Sequence, residues 1–152
     1  MLFLAFQIGK DRYVVDAERV IEVLPFVRAT HIAHAPPAIA GVFTYHGTSV
    51  PLVDMTELLT GSPAQQRLST RVVLIRYPTA HGERALGLIA ENAIGTSVRE
   101  PSDFQNSGVT SGDAPYIGPV AADADGLTQW IETDKLLPSR VSDALFASEV
   151  EA

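Results

Sequence analysis

The sequence predicts an all-β fold of two small five-stranded barrels, built from a duplicated strand module and accompanied by short helices. Three observations lead to this prediction. Ten prolines and eleven glycines are spread among short apolar runs, and both residue types interrupt helical ladders. Segments of the two halves resemble each other. About five short strands per half bury an apolar face best by curling into a closed barrel, which removes exposed edges.

The composition suggests a cytoplasmic protein. None of the 152 residues is a cysteine, which agrees with a reducing compartment and excludes thiolate ligands and nucleophiles. The apolar run Leu2–Phe6 has no basic leader and no small-residue cleavage pattern, so it indicates a strand rather than a signal peptide. No apolar run approaches the roughly 20 residues of a membrane span. We therefore expect a soluble protein that is not inserted in a membrane.

The charge balance argues against nucleic acid as a partner. Eighteen acidic residues outnumber eleven lysines and arginines, which gives a formal net charge of -7. The field of such a protein repels phosphate backbones at a distance. We therefore expect no nucleic-acid binding.

The first elements are a hairpin and a third extended run. Leu2–Ile8 and Arg12–Asp16 are apolar strands joined by a turn that contains Gly9. A polar step then leads into Val20–Leu24, in which Glu22 is the one charged residue and which ends before a proline.

A second hairpin follows a pair of prolines. Val42–Tyr45 contains β-branched and aromatic residues that suit a half-buried strand, and His46 and Gly47 turn the chain. The return run Ser49–Val53 contains Pro51, which has no N–H for a ladder. We therefore expect an edge strand or a bulge at this proline.

The sequence predicts only short helices. Asp54 and Glu57 form a capping-box-like pair before two leucines, which predicts a helix start. Arg71–Tyr77 and Ala85–Ala90 then form a third hairpin. Residues 100–116 lack a periodic pattern, which predicts a surface loop or a partly disordered segment. Residues 138–152 are predicted to form a C-terminal helix and tail.

A repeat relates the two halves of the chain. Tyr13–Leu24 can be aligned with Leu86–Ser97, each a strand, an acidic step and a second extended run. Val53–Leu59 matches Ile131–Leu137 in its apolar, acidic and Leu-Leu positions, and glycine-framed hairpins precede both segments. We therefore predict one duplicated domain over residues 1–137, with barrel halves of approximately 12–66 and 67–137. The N-terminal strand is available to complete the other barrel.

No catalytic, cofactor or metal site emerges from the motifs. His31 and His34 have a helical ligand spacing, but neighbouring prolines oppose a helix and a third ligand is missing. The segment from Asp123 through Asp125 to Glu132 resembles part of a calcium loop, yet it lacks the first ligand and fits an Asp-Gly hairpin turn better. A small-ligand or metal-binding barrel that uses these residues remains the alternative to a protein-binding module.

A surface for protein partners is the favoured interpretation. Apolar residues at strand ends can line a groove between two barrels and accept a partner's helix, and Val20, Val50 and Val53 are candidates. Tyr45 and His46 lie beside a turn glycine, where a rigid aromatic ring makes an effective contact residue.

The order and spacing of these segments resemble the CheW family of chemotaxis coupling proteins. The resemblance implies a CheW-like fold of two five-stranded barrels of the OB/SH3-like kind. It also implies a non-enzymatic adaptor that links the regulatory domain of a CheA-type histidine kinase to the cytoplasmic tips of chemoreceptors in membrane-associated arrays, with other CheW-like proteins as further partners. The segments that carry the resemblance are Phe6–Tyr13, Val20–Leu24, Pro36 to Val42, Gly47 to Asp54 and Ile131–Leu137.

The resemblance also implies partner-binding positions. The family's valine and glutamate of the third extended run fall on Val20 and Glu22, and its turn glycine falls on Gly47. His46 departs from the arginine that the family usually places there for receptor contact; histidine is shorter and cannot form a bidentate pair with a carboxylate. Changes in the second half, including Trp130, are similar to auxiliary coupling proteins of surface-sensing systems that control a diguanylate cyclase.

Overall fold

The computed structural model describes residues 1–93, 95–108, 112–124 and 126–147. Within these ranges the chain forms ten strands, two α-helices and three single 3-10 turns, which confirms the all-β prediction with short helices. The strands are β1 (Leu2–Ile8), β2 (Asp11–Asp16), β3 (Val20–Pro25), β4 (Ile39–Tyr45), β5 (Thr48–Asp54), β6 (Arg71–Thr79), β7 (Gly82–Ala90), β8 (Gly95–Val98), β9 (Ile117–Asp123) and β10 (Gly126–Ile131). The helices are α1 (Met55–Thr60) and α2 (Ser139–Phe146).

The strands form two five-stranded sheets that belong to two compact units. The central unit comprises Arg19–Ala93, and its sheet has the strand order β3-β6-β7-β5-β4. The terminal unit comprises Met1–Glu18 and Ile94–Ala152, and its sheet has the order β8-β1-β2-β10-β9.

Both sheets have the same pairing pattern, which supports the duplication. In each sheet an edge strand pairs antiparallel with the first strand of a hairpin, and the second strand of that hairpin pairs parallel with a second hairpin. The parallel contacts are β7 with β5 in the central unit and β2 with β10 in the terminal unit. Strands β1 to β5 therefore correspond to β6 to β10.

The sheets do not follow the expected halves 12–66 and 67–137. The hairpin β6–β7 of the second repeat completes the sheet of β3, β4 and β5, while β1 and β2 complete the sheet of β8, β9 and β10. A hairpin's own pairing is local, but the sheet it joins is selected by burial of its apolar face against distant strands, which the repeat pattern does not reveal.

The expectation of two closed barrels is also wrong. Among the described residues, neither sheet pairs its two edge strands through a continuous backbone ladder. In the central unit, β3 carries a register shift between Val20 and Glu22 and ends at Pro25, and both features weaken ladder formation. In the terminal unit, β8 has only four residues. The outer edges of β4 and β9 are instead covered locally by bridges from Thr30 and Gln105.

Pro51 belongs to β5, an interior strand of the central sheet, and does not lie on an edge strand as expected. It pairs with Val42 of β4, and the parallel pairing of β5 with β7 begins one residue later, at Leu52. The missing N–H therefore falls just before the parallel ladder, where it removes none of the bonds between Leu52 and Gly87.

The core of the central unit is aliphatic and that of the terminal unit is aromatic. Leu52, Val72 and Ile89 form a buried cluster between loops and sheet in the central unit. In the terminal unit the rings of Phe3, Phe104 and Trp130 pack with centroids 4.9 to 5.4 Å apart. Phe104 lies in the predicted surface loop 100–116, so this segment is anchored by a buried ring; residues 109–111 lie outside the described ranges.

The predicted start of the first helix is confirmed. Asp54 is the N-cap of α1, and its Oδ1 accepts a hydrogen bond from the backbone N–H of Glu57 at 3.1 Å. Its Oδ2 accepts from the N–H of Ala64 at 2.9 Å and thereby ties the loop after the helix to the helix start. The helix ends at Gly61, whose left-handed conformation suits a residue without Cβ.

Candidate partner-binding surface

Four of the predicted contact positions come together where the edges of the central sheet approach each other. Glu22 lies on β3 and Tyr45 is the last residue of β4, at opposite ends of the strand order. Nevertheless, the Tyr45 hydroxyl donates a hydrogen bond to Glu22 Oε1 at 2.5 Å. The sheet must therefore curl until its two edges meet, and a side-chain contact joins edges that no backbone ladder connects.

His46 and Gly47 form the tip of the β4–β5 hairpin, as predicted. Tyr45 pairs directly with Thr48, so the loop has two residues, and both have positive φ angles of 49° and 81°. This geometry is that of a type I′ turn, which matches the twist of the flanking strands. The imidazole of His46 is exposed and meets the Tyr45 ring edge-on, with centroids 4.3 Å apart.

The hydrogen bond with Glu22 raises the pKa of Tyr45 above its ordinary value. Because the neutral phenol donates to the carboxylate, loss of its proton would break the bond and set two negative charges side by side. Partial burial of the ring and the charge of Glu22 raise the pKa in the same direction. At neutral pH the Tyr45 hydroxyl is therefore protonated and donates to Glu22 Oε1.

Sequence reasoning missed the apolar side chains beside Glu22. Ile21 and Val23 are 43% and 42% exposed, whereas Val20 is half-buried and pairs with Ile75. The run Val20–Leu24 could have indicated these exposed apolar side chains, because apolar residues at successive positions face both sides of a strand. The three residues from Ile21 to Val23 are all exposed, so both faces of β3 reach solvent here and Glu22 has an exposed apolar residue on either side of it in the chain.

Val50 and Val53, which were expected at the surface, lie in the core. They are 1% and 0% exposed, so their side chains present no surface to a partner in this conformation. The reason is the place of β5 between β4 and β7. Residues 50–54 of β5 are all buried, so both faces of this interior strand are covered.

The alternative metal-ligand residues are not gathered into a site in the described part of the chain. His31 and His34 are both exposed in a loop, and no group of three or more His, Asp or Glu side chains could hold a metal ion among the described residues. Asp125 lies outside the described ranges.

Asp123 is engaged in ion pairs of the terminal unit. Its carboxylate contacts Arg12 of β2 at 2.6 Å and Arg99, which follows β8, at 2.9 Å. Asp123 is the last residue of β9, the strand that corresponds to β4 in the duplicated module. Tyr45 and Asp123 thus occupy equivalent positions, and each reaches the opposite edge of its own sheet.

A cavity of about 210 Å³ lies in the central unit between residues 26–29 and residues 63–66. Its wall is largely apolar and includes Phe26, Ala40 and Ile89, with Asp54 as a buried acidic residue. Both carboxylate oxygens of Asp54 already accept backbone hydrogen bonds. The cavity is small for a cofactor site, since such pockets usually measure roughly 300–1,000 Å³.

In the part of the chain that the structure describes, no helix is both long enough and apolar enough to cross a membrane.

Comparison with known proteins identifies similar sequences along almost the whole chain. The sequence model of the CheW-like domain family matches residues 2–141. The chemotaxis protein CheW of Klebsiella aerogenes is 23% identical over 143 residues, which cover 90% of this chain and 81% of that protein. The chemotaxis protein CheW of Rhizobium meliloti is 24% identical over 143 residues, which cover 93% of this chain and 90% of the relative.

Two further likenesses concern a related protein and a solved structure. Protein FrzA of Myxococcus xanthus is 30% identical over 93 residues, which cover 61% of this chain and 56% of FrzA. The crystal structure of the scaffolding protein TtCheW from Thermoanaerobacter tengcongensis matches with a TM-score of 0.80 at 19% identity, covering 95% of this chain and 92% of TtCheW. At that identity the match shows a common fold.

Proposed function

Because this chain belongs to the CheW-like domain family, we propose that it couples the cytoplasmic tips of chemoreceptors to a CheA-type histidine kinase. Members of the family are scaffolds and adaptors of chemotaxis signalling and not enzymes, and the chain is a scaffold of this kind. The family match over residues 2–141 is the observation that carries the proposal. In this role the protein acts in the cytoplasm at membrane-associated arrays, with other CheW-like proteins as neighbours.

The receptor contact in this proposal is the surface formed by Val20, Glu22, Tyr45, His46 and Gly47, which we call the β3/β4 surface. It offers an exposed carboxylate and an aromatic ring, and Ile21 and Val23, which adjoin Glu22 in the chain, are exposed as well. Such a combination suits a helical partner that offers both apolar and polar side chains. The buried residues Val50 and Val53 support the strand behind this surface.

Binding of the purified chain to both partners tests the proposal. The chain is mixed with the regulatory domain of a CheA-type kinase and, separately, with a receptor cytoplasmic fragment, and each mixture is analysed by size-exclusion chromatography. Co-migration with both is expected of a coupling protein. Absence of a complex with either partner contradicts the proposed role.

His46→Arg tests the receptor contact. Arginine is longer and can bind a carboxylate through two parallel hydrogen bonds, so the variant should change receptor affinity by a factor of about 3 to 30, as one charge-assisted bond allows. Kinase binding should stay within about twofold of the unmodified chain, which is within the usual range of a surface substitution. Affinities are measured by titration calorimetry.

His81→Arg is the matched control, because His81 is also exposed and also precedes a glycine in a hairpin turn of the central unit. It should change neither affinity. Equal effects of His46→Arg on receptor and kinase, or no effect on either, would contradict the assignment of His46 to the receptor contact.

The second candidate function is binding of a small ligand, and the cavity beside Asp54 is the observation that favours it. A metal-dependent version is tested by melting the protein with zinc or calcium against a chelator control. A ligand that binds only the folded state raises the melting temperature by mass action. An unchanged melting temperature at millimolar ion would reject the metal-dependent version.

A further inference from the structure

We propose that Tyr45 is a positioning residue, whose hydroxyl fastens β4 to β3 and holds the Glu22 carboxylate in the orientation that a partner meets. The inference rests on the proposed function, since contact with a partner at Glu22 is part of it. The Tyr45 side chain thereby links two edge strands that share no backbone pairing.

The need for a fastening follows from the topology of the central sheet. β3 and β4 are the two edge strands, and the hydrogen bond from Tyr45 to Glu22 crosses between them at 2.5 Å. Glu22 is exposed and has three rotatable side-chain bonds. An unheld side chain of this kind loses rotamer freedom when a partner orders it, and this loss weakens binding. A carboxylate already held by Tyr45 has lost part of that freedom before binding.

Tyr45 itself has a rigid base. Its backbone pairs with Thr48 across a two-residue turn, and its ring contacts Phe43 on the same strand and His46 in the turn, with centroids 6.4 and 4.3 Å away. Tyrosine has only two side-chain torsions before the hydroxyl. The hairpin therefore fixes the position of the Tyr45 hydroxyl, and the hydroxyl in turn fixes the flexible side chain of Glu22.

The bond leaves Glu22 able to bind a partner. An ionised carboxylate offers about four acceptor positions on two oxygens. Tyr45 occupies one of them, on Oε1, and no other hydrogen bond to Glu22 occurs among the described residues. The second oxygen can accept an N–H donor from a partner without breaking the fastening.

The terminal unit shows the same device used in a different way. Asp123 holds the position equivalent to Tyr45 and links the end of β9 to Arg12 of the interior strand β2 and to Arg99, which directly follows the edge strand β8. There the carboxylate is shared between two internal cations. In the central unit the carboxylate comes from the opposite edge and meets one neutral donor, so its charge stays available. This difference between the repeats is what a contact role for Glu22 requires.

The proposal is tested with Tyr45→Phe, which removes only the hydroxyl, and with Tyr116→Phe in the terminal unit as the matched control. In the free protein, the side-chain carboxyl resonance of Glu22 should shift in Tyr45→Phe and stay in place in Tyr116→Phe. Affinity for the receptor fragment should fall by a factor of about 2 to 10 in Tyr45→Phe only, which corresponds to ordering one flexible side chain.

A double-mutant cycle separates positioning from a direct contact of the hydroxyl. In a Glu22→Ala background, Tyr45→Phe should have no further effect on receptor affinity, because nothing is left to position. An equal loss in both backgrounds would overturn the proposal. So would an unchanged Glu22 resonance in Tyr45→Phe.

The two proposals can fail separately. If the unmodified chain binds no receptor fragment, the proposed function fails, and the positioning role for a partner fails with it. The Glu22 resonance of the free protein still decides whether Tyr45 fastens the two strands. If the unmodified chain binds and Tyr45→Phe binds equally well, only the positioning role is overturned.

Discussion

At the scale of single residues, the hydrogen bond between Tyr45 and Glu22 links proton binding to stability. The folded-state pKa of Tyr45 is raised above its ordinary value of 10.0, so the folded protein holds this proton at a pH where the unfolded chain has lost it. The stabilisation from this bond is fully present below about pH 10 and is lost as the pH rises through the folded-state pKa.

Tyr45→Phe should therefore make the protein's stability less sensitive to alkaline pH. Tyr13 and Tyr116 also have raised pKa values, through burial, and contribute equally to both proteins. Urea unfolding of the unmodified chain and the variant at pH 8 and at about pH 10.5 checks this expectation. An identical loss of stability in both proteins would show that Tyr45 has no part in it. Glu22→Gln should lower the pKa of Tyr45 towards its ordinary value in an absorbance titration.

Gly87 is the second residue on which local geometry depends. It lies on β7 opposite Leu52, and a Cβ built there collides with the Leu52 side chain and approaches Cγ1 of Val72 at 3.1 Å. The parallel contact between β5 and β7 joins the hairpins of the two repeats, and Gly87 leaves room in that contact for the Leu52 side chain.

Gly87→Ala should destabilise the protein by about 1–3 kcal/mol, the usual cost of overpacking a core. Gly112→Ala is the control, because a Cβ there meets nothing within 4 Å. Urea denaturation measures both. A Gly87→Ala protein as stable as the Gly112→Ala control would show that the two strands can separate without cost.

At the scale of an element, α1 depends on Asp54 at both of its ends. Six residues are too few for a stable isolated helix, since short helices are marginal in water. Asp54 is only 8% exposed, caps the first turn through Oδ1 and holds the chain after the helix through Oδ2. One side chain thus replaces the stabilisation that a longer helix would obtain from its length.

Asp54→Ala should cost about 1–3 kcal/mol, because it removes a cap and leaves the partly buried N–H groups of Glu57 and Ala64 without their acceptor. Asp54→Asn should cost less, since its amide oxygen can still accept from Glu57. Thermal unfolding followed by circular dichroism compares the two variants. Equal losses in alanine and asparagine variants would show that the cap through Oδ1 contributes nothing.

At the scale of the whole molecule, the net charge is confined to one unit. The terminal unit contains 13 acidic and five basic residues, whereas the central unit contains five acidic and six basic residues. The central unit therefore has almost no net field, while the terminal unit attracts cationic surfaces. Partners that bind the two units should respond differently to salt.

Receptor binding through the β3/β4 surface should change less than about threefold between 50 and 500 mM salt, because the long-range attraction that salt screens depends on net charge and the central unit has almost none. Neutralising exposed acids of the terminal unit, with Asp134→Asn and Asp143→Asn, should leave this affinity unchanged. Titrations at both salt concentrations measure it. A steep salt dependence that these two substitutions abolish would place the receptor contact on the terminal unit.

Local features of this protein could be predicted from its sequence, because each depends on residues within a few positions of one another. The turn at His46 and Gly47, the Asp54 cap and the hairpin strands follow from backbone preferences and nearby hydrogen bonds. The repeated order of elements and the resemblance to the CheW family are also properties of the linear pattern, and the family match and the sheet topology agree with them.

Features that join distant segments were decided only by the tertiary structure. These features are the exchange of hairpins between the repeats, the open sheets, and the burial of Val50, Val53 and Phe104. Each depends on which sheet faces pack together. The alternation of apolar and polar residues along a strand does not reveal this, because it is the same whichever strand becomes the partner. The bond between Tyr45 and Glu22 spans 23 residues and the contact between Arg12 and Asp123 spans 111. Burial summed over the whole sheet selects such pairs, and no short stretch of sequence contains that sum.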